Sequence, residues 1–520
     1  MDTSPYLWRI YPNPKRFPKK RVHWWRLAVA LTLVPGVVIV TPWVWDRLFC
    51  RPGLPVSEVW GQEGECVGLS AGPYAFDRPE LTGVMTKIAE QNEDAKEGSC
   101  TPGTKPVTVG VLATLTSVEA GGRALHELEG IAAAQASAND ADCIHPIRLR
   151  VAQMGAKEQA AVEVAELLAE EVSAVVGVGL SLPETANAID VLAKHQIPMV
   201  GDVITAEGFD RNGSRQDGIA YDRCDRSHTY HDGVGRGYFH RVAYRNADQI
   251  EQLANYMKSA TPNTFKFIVT PITTKDPYTC TALALVHDKF SSGSSRLPEI
   301  PFDPDDANSV NEAAERICAP GTTGPVSIFY AARASHLPRF LKKLADDFQA
   351  RRCALDNLTV VSTSDAARMR AEDFDENREE LRLEALDTQE FKNGTIRLIY
   401  TPLADPDVLP AGLGLPELKS SFSKLKFDSA HLNSGWAITG FDAMTTVADA
   451  VNRRPESQPV TSSQINFEIP SRPVSGASGK ITFDNDGNRV GSVPSVVRLC
   501  PAEGRDEPRT VPVRPIETAC

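Results

Sequence analysis

The sequence contains no C-x-x-C pair, although it has ten cysteines. This absence argues against zinc ribbons and thioredoxin-type redox chemistry, because both use closely spaced cysteines. An even number of cysteines in an exported protein predicts disulfide bonds instead. The sequence alone does not fix their connectivity. The pairs that we expect are Cys66–Cys100, Cys318–Cys353 and Cys500–Cys520.

Basic residues outnumber acidic residues near the N-terminus, in contrast to the chain as a whole. Residues 1–26 carry seven lysines and arginines against one acid, Asp2, whereas the whole chain has a formal charge of −12. The remainder is therefore more acidic than the total suggests. A nucleic-acid-binding protein needs a basic face for the phosphates, so this balance argues against such a partner. With 520 residues, the chain is long enough for more than one hydrophobic core.

No charged residue interrupts the segment from Leu27 to Trp45, which is about long enough to span the hydrocarbon core of a membrane. Tryptophans lie at both of its ends, as in an interfacial belt. A cleaved signal peptide is the alternative, but bulky residues follow the run where a cleavage site needs small ones. We predict a basic cytoplasmic tail (1–26), a transmembrane helix (27–46) and a main domain outside the cell, on a single-pass protein of the cell membrane.

From residue 107 onward, short apolar runs alternate with segments whose apolar residues have helical spacing. This alternation predicts βαβ units and parallel sheets, hence the α/β class. A polar stretch, Asp210–Gly237, separates two such series, which predicts two Rossmann-like lobes with a binding cleft at the carboxyl ends of their strands. The preceding residues 47–105 are rich in Gly, Pro and Glu, and we interpret them as a juxtamembrane linker.

Three short motifs indicate enzymes or metal sites but lack the necessary context. Gly68–Gly72 (GLSAG) fits a hydrolase nucleophile elbow, yet its flanks do not read as a strand and a helix. Cys224, His228 and His231 are zinc-type ligands, but their spacing matches no established pattern and a solvated loop is favoured. Gly233–Gly237 lacks the strand–helix context of a phosphate loop. We therefore predict no catalytic residue, no metal and no cofactor.

The stretch GKITFDNDGNRVG, which begins at Gly479, resembles the opening of a calcium loop through Asp484, Asp486 and Asn488. An EF-hand loop requires glycine at its sixth position and glutamate at its twelfth. Here the glycine comes at the fourth position, and the twelfth is Ser495. A β-hairpin is the interpretation that we favour, because KITF alternates and DNDGN tolerates positive φ.

Five blocks in order resemble one known family. They are VTVGVLATLT with ALHELEGIAAAQASAN, VVGVGLSLPETANAIDVLAKHQIPMVGDVIT, DPYTCTALALV, GFDAMTTVADAV and GKITFDNDGNRV. Together they resemble type I periplasmic solute-binding proteins of the leucine/isoleucine/valine-binding kind, in particular the membrane-anchored ABC-transporter substrate-binding proteins of actinobacteria. The resemblance covers about Val107 to Pro501, and it departs from the family pattern at Thr279 and Phe441.

This resemblance implies two lobes that are joined by three crossovers and close on a ligand. We place lobe one at residues 107–237 and 401–485, and lobe two at residues 238–400 and 486–515. The implied partners are a small amino-acid-like ligand and an ABC permease or a membrane sensor. An interaction module that has lost its small ligand is the alternative function, and an extracellular enzyme has no catalytic constellation to support it.

The resemblance also implies which residues bind the ligand. In relatives that bind amino acids, lobe one holds the carboxylate through hydroxyls and amides, and Ser181 and Thr205 lie on the matching loops. Tyr278 takes the place of the tyrosine that covers the ligand, and Asp202 and Asp303 are candidates for the acid that holds the ammonium group. Simpler roles remain open, namely helix capping for Ser181, turn capping for Thr205 and packing for Tyr278.

Overall fold

The computed structural model describes residue 50 and residues 58–117, 122–140, 143–215, 224–260, 265–273, 276–291, 296–319, 321–409, 414–502, 507–513 and 520. The predicted cytoplasmic tail and the predicted transmembrane helix lie outside these residues. Within them, none of the helices combines the length and the apolar character needed to cross a membrane.

Seventeen strands in the described part of the chain form three sheets. They are β1 (Val59–Gln62), β2 (Glu65–Ser70), β3 (Val107–Ala113), β4 (Ile147–Gln153), β5 (Ala174–Gly177), β6 (Met199–Gly201), β7 (Phe239–Arg241), β8 (Phe265–Pro271), β9 (Glu299–Phe302), β10 (Gly324–Tyr330), β11 (Leu355–Ser362), β12 (Ile396–Tyr400), β13 (Val474–Gly476), β14 (Gly479–Phe483), β15 (Arg489–Val490), β16 (Val497–Cys500) and β17 (Arg509–Pro512).

Each lobe contains one seven-stranded sheet. The order in lobe one is β1-β2-β4-β3-β5-β6-β7, and the order in lobe two is β17-β16-β12-β11-β10-β8-β9. Five strands of each sheet run parallel, while β1 with β2 and β16 with β17 are added antiparallel at one edge. Central strands such as VTVGVLA are continuous apolar runs, because helices cover both faces of a parallel sheet.

The helices divide between the two sheets. They are α1 (Thr82–Asp94), α2 (Arg123–Ala138), α3 (Ala161–Ala169), α4 (Pro183–Lys194), α5 (Asn246–Ala260), α6 (Pro277–Phe290), α7 (Ala307–Ile317), α8 (Leu337–Gln349), α9 (Glu376–Asp387), α10 (Gln389–Lys392), α11 (Leu415–Leu425), α12 (Trp436–Asn452) and α13 (Ser462–Glu468). Helices α1 to α4 and α11 to α13 belong to lobe one, and α5 to α10 belong to lobe two.

Two glycines bring α2 and α12 into backbone contact in the core of lobe one. A Cβ on Gly130 would lie 1.9 Å from the carbonyl oxygen of Ala437, and a Cβ on Gly440 would lie 2.5 Å from that of Glu127. No larger side chain fits at either position without a shift of the helices. This close packing fixes the position of α2, whose first turns lie at the cleft.

The predicted juxtamembrane linker is wrong for residues 58–94. This segment supplies β1, β2 and α1, and Asn92 of α1 is bonded to both the carbonyl oxygen and the amide of Leu149 in β4, each at 2.8 Å. Strand β2 also runs into the GLSAG motif and ends at its serine, contrary to our prediction, but bends and not a helix follow it. The segment is the antiparallel edge of lobe one.

The chain crosses three times between the lobes. The first crossing follows Arg241 and not residue 237, because β7 pairs with β6 in lobe one. The second follows β12, and the third joins β15 to β16. The first and third crossings are linked by a 2.9 Å hydrogen bond between the hydroxyls of Tyr244 and Ser492.

All ten cysteines form disulfides. The predicted pairs Cys318–Cys353 and Cys500–Cys520 are confirmed, whereas Cys66–Cys100 is wrong. Cys66 lies in β2, which forms a hairpin with β1. Cys100 lies after α1, next to the segment that leads into β4. The observed partners of these two cysteines are Cys50 and Cys143, and the fifth disulfide joins Cys224 to Cys280.

The hairpin interpretation of the DNDGN stretch is confirmed, since β14 and β15 pair antiparallel. The carboxylate of Asp484 accepts hydrogen bonds from the amides of Asp486 and Asn488, at 2.9 and 2.8 Å. The amide oxygen of Asn488 accepts a 2.7 Å bond from the fully buried Arg241 at the first crossing. These side chains therefore fasten the hairpin to the hinge.

Candidate functional site

Glu158 connects the loops at the carboxyl ends of the lobe one strands. Its buried carboxylate accepts hydrogen bonds from the hydroxyl of Thr114 at 2.7 Å and the amide of Leu180 at 2.9 Å, and it also bonds the hydroxyl of Thr185. These partners come from the loop after β3, the loop after β5 and the start of α4. Glu158 thus fixes the positions of these two loops and of the start of α4 relative to one another.

Ser181 positions the loop that follows β6. Its hydroxyl oxygen accepts hydrogen bonds from the amides of Thr205 and Ala206, both at 3.2 Å, and the side chain is 1% exposed. The capping alternative is wrong, because α4 has Leu182 at its N-cap and no side-chain cap. Thr205 is equally buried, and its own hydroxyl has no hydrogen-bond partner in the described part of the chain. Ser181 therefore supports the loop, and Thr205 has a hydroxyl available.

A buried ionisable cluster lies beside this loop. Glu127 follows Arg123 by one turn of α2, and its carboxyl group is close enough to that of Asp202 for the two charges to interact. A Cβ on Gly177, at the end of β5, would lie 3.0 Å from Oε1 of Glu127. The glycine is thus the residue that lets the carboxyl group approach the end of the sheet. Asp202 is 0% exposed and Glu127 is 3% exposed.

Burial raises the pKa of both acids. The pKa of Glu127 rises to about 7, and the nearby Arg123 only partly opposes the shift. Burial and then the charge of Glu127 raise the pKa of Asp202 well above its usual range. Burial likewise lowers the pKa of Arg123. This pair of carboxyl groups consequently retains a proton near neutral pH.

Lobe two presents Tyr278 at the start of α6. Asp276 caps this helix by accepting from the amides of Tyr278 and Thr279, at 3.2 and 3.4 Å. The Tyr278 hydroxyl lies 2.6 Å from that of Thr363, after β11, and the ring is covered by the guanidinium of Arg333 at 4.8 Å. Tyr278 thus lies at the start of α6 with one ring face in contact with an arginine of the chain itself.

Arg333 joins the two lobes. It follows β10 and donates two hydrogen bonds to the carboxylate of Asp276, at 2.9 and 3.0 Å. One of its nitrogens also lies 3.5 Å from the carbonyl oxygen of Ser181 in lobe one. Asp365 accepts a 2.7 Å hydrogen bond from the amide of Ala334. Polar groups of lobe one and lobe two therefore meet around Arg333, between the carboxyl ends of the two sheets.

The polar stretch after β6 packs against α6. Cys224 of this stretch is bonded to Cys280 of α6, and the amide of Glu207 donates to the hydroxyl of Thr281 at 3.4 Å. Since the sulfur of Cys224 is in a disulfide, it is not a thiolate ligand for a metal. In the described part of the chain, no three His, Cys, Asp or Glu side chains are grouped so that they could hold a metal ion.

Four of the five predicted ligand-binding residues lie where the two lobes meet, namely Ser181, Asp202, Thr205 and Tyr278. Asp303 does not. Asp303 organises the turn before α7, where its amide donates to the hydroxyl of Ser309 at 2.8 Å. Sequence reasoning missed Arg123, Glu127 and Arg333. The signal in the sequence was three charged residues, Arg123, Glu127 and Glu129, in the first two turns of a helix whose second half is mostly alanine, together with an arginine three residues after the buried strand VSIFY.

Comparison with solved structures identifies the fold. LivJ of Streptococcus pneumoniae, a branched-chain amino acid transporter substrate-binding protein in complex with isoleucine, matches with a TM-score of 0.55 at 14% identity, over 79% of this chain and 100% of its own. The leucine-binding protein LivK of Thermotoga maritima gives 0.55 at 16% identity, over 78% and 99%. An ABC transporter solute-binding protein from R. palustris in complex with 4-hydroxybenzoate gives 0.53 at 12% identity, over 79% and 96%.

The predicted type I periplasmic binding protein fold is therefore confirmed. No protein-family model matches the chain, and no curated protein matches its sequence.

Proposed function

We propose that this protein is a membrane-anchored extracellular solute-binding protein that closes its two lobes on a small ligand and delivers it to an ABC-type transporter. One observation carries the proposal, namely the convergence of polar groups from both lobes on one place at the carboxyl ends of their strands. In an open α/β sheet, this edge is where ligands bind. The anchor would be residues 27–46, and the permease would be its partner in the membrane.

The cleft has the parts that hinge closure requires. Lobe one contributes the loop held by Ser181, with the unpartnered hydroxyl of Thr205, and lobe two contributes Tyr278 and Arg333. A ligand that contacts both lobes favours the closed state by the difference between its affinities for the closed and open states. Three crossings at the hinge permit this motion while the two sheets stay rigid.

An amino-acid-like ligand is the first candidate. The structural neighbours include proteins in complex with isoleucine and with leucine, and one in complex with 4-hydroxybenzoate. A small molecule with an apolar body and a polar end suits a site that combines a tyrosine ring with buried polar and charged side chains.

A thermal-shift screen of the purified full-length chain tests this function. The panel comprises amino acids, their amides and aromatic acids. We expect at least one compound to raise the melting temperature, and Tyr278→Ala to abolish that shift while Tyr278→Phe, which keeps the ring, retains most of it. A compound that still stabilises Tyr278→Ala would place the binding site elsewhere.

One observation favours a second function, that of an interaction module without a small ligand. Arg333 already covers the Tyr278 ring and lies near the carbonyl oxygen of Ser181, so the chain's own side chain stands between the lobes. If no compound of the panel changes the melting temperature of the wild-type protein or of Arg333→Ala, this second function replaces the first.

A further inference from the structure

A pocket of about 230 Å³ lies among the segments that cross between the lobes, and we call it the hinge pocket. Tyr244 of the first crossing, Leu403 and Val408 of the second, Val493 of the third and Lys480 of β14 line it. None of the cleft residues described above contributes to its walls. Since hinge segments absorb the backbone change when two lobes move, the shape of this pocket depends on the angle between the lobes.

Most of the wall that the second crossing provides is apolar. Leu403 and Ala404 are 5% and 4% exposed, and next to them Val408 packs against the core of lobe two while Leu409 packs against the core of lobe one. Val493, on the third crossing, is 66% exposed. An apolar cavity of about 150 Å³ holds one benzene ring, so the hinge pocket has room for one ring with a small substituent.

Three polar side chains of the walls are already bonded within the chain. The pairs are Tyr244–Ser492, Ser478–Arg489 and Asp405–Arg370, at 2.9, 2.8 and 2.9 Å. Asp405 is 2% exposed and also accepts a 2.6 Å hydrogen bond from the hydroxyl of Thr510. The acid at this pocket is therefore balanced by its own arginine, and it is shielded from a ligand.

Lys480 is the exception among these polar groups. Its side chain is exposed, and its ammonium group has no ion-pair or hydrogen-bond partner in the part of the chain that the structure describes. A cation beside an apolar pocket suits a ligand that has an apolar body and an anionic end. A carboxylate on a single ring has this chemistry and this size.

We infer that the hinge pocket binds a small aromatic carboxylate, with its ring among the three crossings and its charge at Lys480, and that this binding favours the lobe angle of the present structure. The site does not depend on the proposed function, whereas its effect on ligand capture rests on that function. By linkage, a solute in the cleft and a carboxylate in the hinge pocket change each other's affinity by the same factor.

Three probes test the chemistry of the hinge pocket, namely benzoate, benzylamine and acetate. Isothermal titration calorimetry with the full-length chain measures the affinity of each. We expect benzoate to bind at least about fivefold more tightly than benzylamine, whose charge Lys480 repels. Acetate should show no measurable binding, because it lacks the ring that the apolar walls bury. Equal affinities for benzoate and benzylamine would overturn the assignment.

Variants locate the binding site. Val493→Trp places an indole at the pocket and should weaken benzoate at least about tenfold, and Lys480→Gln should weaken it about threefold to fivefold. The matched controls are Val162→Trp, at an exposed valine of α3, and Lys419→Gln, at an exposed lysine of α11, and neither should change the affinity. Tyr278→Ala, in the cleft, should also leave benzoate binding at the hinge unchanged.

The outcomes separate the hinge pocket from the cleft. If Tyr278→Ala abolishes benzoate binding and Val493→Trp does not, benzoate occupies the cleft, so the hinge site fails while the proposed function gains support. If benzoate does not bind the wild-type protein, the hinge site fails, and the thermal-shift panel still decides the proposed function. A panel compound that binds in the cleft should bind more tightly in saturating benzoate. An unchanged affinity would overturn the coupling between the two sites.

Discussion

Cys224 and Cys280 connect the two lobes covalently. Cys224 lies in the polar stretch between β6 and β7 of lobe one, and Cys280 lies in the first turn of α6 in lobe two, next to Tyr278. The Cα atoms are 5.6 Å apart. A bond at this position lies on the cleft side of the hinge, so it limits how far the mouth of the cleft opens.

Removal of the Cys224–Cys280 disulfide should allow the two lobes to open further. We expect the double variant Cys224→Ser/Cys280→Ser to have a larger radius of gyration without ligand, as measured by small-angle X-ray scattering. It should also lose about 4 kcal/mol of stability, since the bond closes a loop with a sequence separation of 56 residues. The control is Cys500→Ser/Cys520→Ser, which removes a disulfide within lobe two. If both variants keep the wild-type radius, the tether does not limit opening.

Arg333 should hold the lobes together in the absence of ligand. Arg333→Ala removes the bidentate pair with Asp276, the contact with the Tyr278 ring and the approach to Ser181. We expect a shift toward the open state and a loss of roughly 1–2 kcal/mol in unfolding free energy, because the pair is only partly exposed. Scattering and denaturant titration measure the two effects. Arg472→Ala, at an exposed arginine of lobe one, should change neither.

Glu127 should make the protein less stable as the pH rises. Its pKa is near 4.5 in the unfolded chain and about 7 in the fold, so the folded state holds a proton that the unfolded state has lost between these values. The contribution is complete below about pH 4.5 and is lost as the pH rises through about 7, for a total on the order of 3 kcal/mol. Unfolding measured from pH 5 to 8 should show this fall.

The variant Glu127→Gln separates this effect from other titrations. It carries no titratable group at position 127, so its pH profile should be flatter than that of the wild type over the same range. Asp202→Asn should act in the same direction, because it removes a second buried acid whose pKa is raised well above its usual range by burial. A wild-type slope that persists unchanged in both variants would contradict the assignment.

The parallel cores of the two lobes could be predicted from the sequence because continuous apolar runs alternate with amphipathic segments. Strands β1 and β2 could not, because they are short and glycine interrupts the apolar residues of VWGQ and ECVGLS. Their strand state depends on the pairing of β1 with β2 and of β2 with β4, which the local sequence does not encode.

The position of a candidate site residue could be predicted where it follows a strand of the parallel sheet. It could not be predicted where it depends on packing between elements that are distant in the sequence. Ser181, Asp202 and Thr205 follow β5 and β6, and the carboxyl ends of neighbouring parallel strands meet at one edge. Glu127 comes to Asp202 only because α2 packs closely on α12, a tertiary contact that the local pattern does not encode. Asp303 follows β9, the far edge strand of lobe two, which explains why it lies away from the cleft.

Gly177 provides a test of the acid pair that does not alter any charge. Its φ is +84°, and a Cβ there would lie 3.0 Å from both Oε1 of Glu127 and the carbonyl oxygen of Leu112. Gly64 has nearly the same φ, +82°, but a Cβ there would meet nothing within 4 Å. Both alanine variants therefore carry the cost of a left-handed residue, of about 1 kcal/mol, and only Gly177→Ala disturbs the acid.

The difference between the two variants measures the crowding of the added Cβ against Glu127 and the Leu112 carbonyl oxygen. We expect Gly177→Ala to be the less stable by a further 1–2 kcal/mol or so, because the carboxyl group or the strand must move at the end of β5. Denaturant unfolding measures the difference, and Glu127→Gln combined with Gly177→Ala shows how much of it depends on the charge of the acid. Equal stability in Gly177→Ala and Gly64→Ala would mean that Glu127 and the end of β5 move apart at little cost, so that Gly177 does not fix the position of the acid.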